Sequence, residues 1–150
     1  MTEQRLPRGA RQKNPGNLRH YENIQWKGLV GQDEDGFCIF DTMSNGVRAA
    51  CLDLIAGFKQ AQRTGGRDGE DTVREIITEW APSNENDTDA YVAAVCKRTG
   101  FEPDTVLPLT RATIRQLANA IFIHENGGNF VSEAELLVGL HEACNYAGVA

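Results

Sequence analysis

From Ser44 to the C-terminus, apolar residues recur with the helical period of about 3.6 in five successive runs, most of them opened by a capping residue and closed by glycine or proline. Val47, Ala50, Cys51, Leu54, Ile55 and Phe58 form the first stripe, after a cap expected at Ser44, and Gly65-Gly66 and Gly69 end it. Asp71 or Thr72 opens a short helix with Val73, Ile76, Ile77 and Trp80 on one face, stopped by Pro82. The polar loop Asn84–Thr88 leads into a helix through Tyr91, Ala94 and Val95, which Gly100 closes. Thr110 caps a fourth helix bearing Ile114, Leu117, Ala118, Ile121 and Phe122, ended by Gly127-Gly128. Ser132 and Glu135 form a capping-box pair for the last, which carries Leu136, Leu137, Leu140 and Cys144. Five such stripes must bury one another, so the expected class is mainly α (α+β).

The β contribution comes earlier. Ile24, Trp26, Leu29 and Val30, then Phe37 to Phe40, flank the glycine- and acid-rich Gly31-Gln32-Asp33-Glu34-Asp35-Gly36, which reads as one small β-hairpin. Ahead of it, Asn14-Pro15-Gly16-Asn17 reads as a tight turn. Arg5, Arg8, Arg11 and Lys13 make the one basic stretch, a solvated arm over residues 1–13 or an attraction to an anionic surface such as a cell wall. With no repeat or linker, 150 residues fit one domain.

A net charge of −6 argues against nucleic acid as a partner. Cys38, Cys51, Cys96 and Cys144 lack metal-binding spacing and sit among apolar neighbours; buried free thiols are the expectation, although an even count also permits two disulfides. No metal or cofactor is expected. Met1-Thr2-Glu3-Gln4-Arg5 lacks the apolar run of a signal peptide, and no segment reaches membrane-spanning length. The expected site of synthesis is the bacterial cytoplasm, so a protein acting at the wall needs a carrier.

One residue breaks the helical pattern. The fourth stripe, continued from Ile121 and Phe122, next reaches position 125, a glutamate. A carboxyl at the end of a buried stripe loses hydration, which favours the neutral, proton-donating form that glycoside cleavage requires. Apolar stripes also end in charged residues where a helix simply emerges into solvent.

The string Leu117-Ala-Asn-Ala-Ile-Phe-Ile-His-Glu125-Asn-Gly resembles the catalytic helix of lysozyme-like glucosaminidases and lytic transglycosylases. Asn17-Leu18-Arg19, Trp26-Lys27-Gly28 and Phe37–Phe40 are similar to the segment that follows that helix in flagellar-type glucosaminidases, and Tyr91 resembles a tyrosine that shapes their cleft. The order is reversed here, which a circular permutation of a lysozyme-like domain would reconcile when the termini lie close together. As a whole, the chain resembles a family of phage and prophage virion-associated proteins. The residues that carry this likeness are Arg8-Gly9-x-Arg11, Asn14-Pro15-Gly16-Asn17-Leu18-Arg19, Gly46-Val47-Arg48-Ala49-Ala50, Trp80-Ala81-Pro82, Glu85-Asn86-Asp87-Thr88 with Tyr91, and His124-Glu125-Asn126-Gly127. They span roughly residues 8–128.

The resemblance implies peptidoglycan as partner, delivered by a virion or secretion apparatus, with Glu125 as the acid. Asp33, Glu34 and Asp35 at the hairpin tip are candidates for a second carboxylate, or form a hydrated acidic turn; a transglycosylase needs no second acid. Asn17, Trp26, Tyr91, His124 and Asn126 make up the expected substrate-binding set. Asn17 either positions a substrate amide or serves the turn, and His124 flanks the site or faces solvent. Trp26 and Trp80 are available to stack on sugar rings, although Trp80 at helical spacing also reads as core. The rival expectation is a non-catalytic virion or wall-binding protein. Amidase or peptidase chemistry lacks the Cys–His or metal-ligand spacing it would need.

Overall fold

The computed structural model describes residues 5–84 and 86–150; Met1 to Gln4 and Glu85 of the polar loop, both used in reading the sequence, lie outside them. The elements run α1 (Arg8–Arg11), β1 (Leu29–Gln32), β2 (Cys38–Phe40), α2 (Met43–Thr64), α3 (Val73–Trp80), α4 (Thr88–Thr99), α5 (Arg111–Asn126) and α6 (Glu133–Ala147). The mainly helical expectation with one small hairpin is what the chain forms.

Local chemistry explains most boundaries. Thr72 caps α3 in a reciprocal box with Glu75, and Ser132 does the same for α6 with Glu135. Thr110 accepts from the Thr113 N–H at the start of α5, and Gly127 ends that helix in the left-handed region with φ 66°. The first long helix starts earlier than its stripe suggests. Thr42, not Ser44, is its cap, and the Thr42 side chain accepts the Asn45 N–H. An extended Thr42, with φ −133° and ψ 153°, suits a cap, whereas Ser44 is already inside the first turn.

The apolar stripes meet in one continuous cluster in which Val47, Leu54, Ile55, Phe58, Ile77, Ile114, Leu117, Ile121 and Leu140 are buried. Two glycines let backbones approach. A Cβ on Gly46 would lie 1.9 Å from the Lys13 carbonyl oxygen, and one on Gly139 would lie 2.6 Å from the Ser44 carbonyl oxygen and Val47. Helix α2 therefore seats the Lys13–Pro15 turn on one side and α6 on the other.

The hairpin is antiparallel, pairing Leu29 with Phe40, Gly31 with Ile39 and Gln32 with Cys38, with a register shift between Leu29 and Gly31. An isolated bridge between Arg19 and Phe37 prolongs it. Ile24 and Trp26, expected in the first strand, lie before it in irregular backbone. The basic stretch is not a solvated arm from Arg8 onward: Arg8–Arg11 is helical, and Gly9, Gln12 and Asn14 are buried. A Cβ on Gly9 would meet the Asn126 side chain at 2.5 Å, so α1 packs against the C-terminal end of α5. At the other end of α5, the Arg111 N–H donates to the Ala150 carbonyl. Arg8 and Ala150 thus sit near opposite ends of a helix roughly 24 Å long. The four cysteines are free thiols, with Cys38, Cys51 and Cys144 buried; burial pushes the Cys38 thiol up to about 11. Among the described residues no helix is long and apolar enough to cross a membrane.

Candidate active site

The Asn14–Asn17 turn is fixed from inside. The buried Asn14 side chain accepts the Leu18 N–H and donates to the carbonyls of Leu18 and Cys38, tying the turn to β2. Gly16 presses against Trp80, where a Cβ would stand 2.8 Å from the indole, and the Trp80 Nε1–H donates to the Gly16 carbonyl at 2.9 Å. Asn17 follows at φ 49°, a left-handed conformation that asparagine tolerates better than most residues.

This turn delivers Asn17 to Glu125. Its Nδ2 donates to Glu125 Oε1 at 2.9 Å, and the Tyr91 hydroxyl donates to Glu125 Oε2 at 2.8 Å. Three segments far apart in sequence therefore converge on one carboxylate near the end of α5. Tyr91 is only 2% exposed and stacks on the His124 ring at 3.8 Å between centroids. Burial, then the Glu125 charge and their hydrogen bond, push the Tyr91 hydroxyl far upward, so it keeps its proton. Asn17 Oδ1 is buried without a hydrogen-bond partner among the described residues.

Glu125 lines a cleft of about 650 Å³. Trp80, Trp26, Tyr21 and Phe37 give it aromatic surface, and Asn17, Asn84 and Asn86 add amides. Two guanidinium groups lie over the Phe37 ring, Arg8 at 4.1 Å and Arg19 at 4.6 Å from its centroid. Such a trough offers flat apolar ring faces beside hydrogen-bonding and charged groups.

The expected site residues divide. Glu125, Asn17, Tyr91 and Trp26 come together at or beside the cleft, and Trp80, weighed as ring platform or core, also lines it while half-buried. His124 is exposed and backs Tyr91, outside the lining. Asn126 does not face the cleft: it is 7% exposed, and its amide donates to the carbonyls of Pro15 and Phe122, bracing the turn to α5. The hairpin acids are absent from the lining as well. Asp33 Oδ1 accepts the N–H groups of Asp35 and Phe37, while Oδ2 accepts from Gln12 at 2.9 Å and lies 3.7 Å from Arg8. Asp35 pairs with Arg8, and Glu34 stands exposed on the tip. Forming the tight turn uses the acceptors of Asp33, and the tip points its other acids to solvent.

Two acids that do line the cleft, Asp53 of α2 and Glu79 of α3, carry no signal in the sequence, where each reads as a solvated helix position. Asp53 is reached by solvent yet flanked by protein mass, which raises its carboxyl to about 6, chiefly by lost hydration and then by Glu79.

No protein-family model matches the chain. Among curated proteins it is similar to Protein P5 of Pseudoalteromonas phage PM2, with 30% identity over 135 residues covering 88% of this chain and 79% of that protein. At that identity and coverage, the chain belongs to the family of the phage PM2 Protein P5.

Proposed function

We propose that this phage-associated protein cleaves the glycan strands of peptidoglycan, as a muramidase or lytic transglycosylase with Glu125 as general acid. The observation that carries the reading is a glutamate lining an aromatic-walled cleft and held through both oxygens by Asn17 and Tyr91. Protonated Glu125 would donate to the glycosidic oxygen as the C–O bond breaks. The Tyr91 hydroxyl donates to a carboxylate and can accept from a carboxylic acid, so this contact survives the proton transfer. Such a protein would be carried to the wall by a virion or a secretion apparatus.

Incubating purified peptidoglycan with wild type and Glu125→Gln, then weighing the soluble products by mass spectrometry, tests this. Wild type should release disaccharide-containing fragments, ending in reducing sugar for hydrolysis or anhydro sugar for transglycosylation. The variant should be slower by about 10²–10⁴-fold. Fragments released equally by both would remove Glu125 as the acid. A second reading, a non-catalytic virion or wall-binding protein, is favoured by one feature: both Glu125 oxygens already accept hydrogen bonds, as in a structural carboxylate. A wild type that binds sacculi and releases nothing would establish it.

A further inference from the structure

The geometry points to Asp53 as the second catalytic carboxylate, a general base that activates water in the cleft lined by Glu125; this rests on the glycosidase reading above. Three observations carry it. Asp53 and Glu125 line the same cleft from different helices, α2 and α5. Trp80 connects the two groups. Its indole bonds to the Gly16 carbonyl, beside the asparagine that holds Glu125, and with Asp53 and Glu79 it lines an adjoining recess of about 40 Å³. Finally, Asp53 takes no hydrogen bond or ion pair from the other described residues, whereas Asp33 and Asp35 are engaged in holding the hairpin tip and Arg8. A carboxylate left unpartnered in a cleft keeps its acceptors for a ligand or water.

The charges around Asp53 suit a base. Glu79 from α3 and Glu70 from the loop before it face Asp53, while the cations of the cleft, Arg8 and Arg19, lie over Phe37. The protein mass flanking Asp53, which strips part of its hydration, together with Glu79 raises its carboxyl to about 6, high enough to accept a proton yet ionised at neutral pH. In the step, Asp53 removes a proton from water as the water oxygen bonds to the anomeric carbon. The carbon–oxygen bond to the leaving sugar breaks, and Glu125 gives its proton to that oxygen. Asp53 ends protonated and Glu125 ionised, and exchange with solvent resets both. The products are a reducing end of inverted configuration and a free hydroxyl.

The test compares wild type, Asp53→Asn, Glu79→Gln and Glu125→Gln on purified peptidoglycan, across pH and with added sodium azide, with thermal melts confirming that each is folded. Wild type should yield reducing ends and lose activity as pH falls through about 6. Asp53→Asn should lose 10²-fold or more in rate. Azide, which needs no deprotonation to attack, should restore its cleavage with glycosyl azide as product, and should not restore Glu125→Gln. Removing the Glu79 charge should move the acid limb to lower pH. Asp53→Asn at the wild-type rate, or slow without azide rescue, overturns the assignment while leaving Glu125 as acid. Anhydro ends from wild type likewise overturn it, since the sugar's own hydroxyl then replaces water. A wild type that cleaves nothing removes the glycosidase reading, and this assignment with it.

Discussion

Asn17 shows how one residue ties conformation to chemistry. Its positive φ belongs to the turn, and its amide belongs to Glu125, so the two contributions can be separated by substitution. Asn17→Gly keeps the left-handed backbone and removes the donor; Asn17→Ala removes the donor and adds strain of about 1 kcal/mol. Both variants should lose cleavage activity by roughly tenfold, the worth of one charge-assisted hydrogen bond, while Asn17→Ala should also melt below Asn17→Gly. Equal activity in Asn17→Gly and wild type would leave Glu125 positioned by Tyr91 alone. Asp53 gives a stability signature independent of any substrate. Its folded value, about 6, exceeds the unfolded value near 3.9, so the native state favours the protonated form. That stabilisation is fully present below about pH 4 and is lost as pH rises through about 6. Asp53→Asn should therefore raise the melting temperature at neutral pH and leave it unchanged near pH 4. The gain should be no more than about 1 kcal/mol, because the carboxyl remains open to solvent.

At the scale of elements, the sequence was most legible where a boundary follows from local chemistry. The Ser132–Glu135 box, the Thr110 cap and the glycine stops at Gly100 and Gly127 all depend on residues a few positions apart, and all form. The start of α2 was misplaced because Thr42 and Ser44 are both competent caps, and only the backbone direction leaving β2 distinguishes them. Thr42→Ala should destabilise the fold by about 1 kcal/mol, and Ser44→Ala by less than about 0.5 kcal/mol, as read in denaturant melts. Helix α1 was not legible at all. Its four residues, Arg-Gly-Ala-Arg, have no apolar stripe, and they are ordered by packing on Asn126 and the Lys13–Pro15 turn. Gly46, which admits that turn against α2, is the corresponding weak point: Gly46→Ala should lower stability by about 1–3 kcal/mol through overpacking. A neutral result would mean the turn can shift away from α2 without loss.

Across the whole molecule, the candidate site is a meeting of segments rather than a motif. Glu125 stood out because it interrupts a stripe, and Tyr91 and Asn17 through resemblance, but no spacing reveals that residues 17, 91 and 125 share one hydrogen-bonded centre. Asp53 and Glu79 were hidden for the same reason: an acid on the open face of an amphipathic helix looks alike whether that face meets bulk water or a cleft wall. Asn126 erred in the opposite direction, since its neighbour Glu125 turns to the cleft while its own amide turns inward to Pro15. Membership of the phage PM2 Protein P5 family makes the chain phage-associated, and the cleavage proposed for its cleft would require delivery to the wall. The most direct measurement is the initial rate at which wild type and Glu125→Gln solubilise purified peptidoglycan, taken at matched melting temperature. A rate that falls at least 10²-fold in the folded variant is the result expected of a glutamate acid. Equal rates, or no solubilisation by wild type, would contradict it.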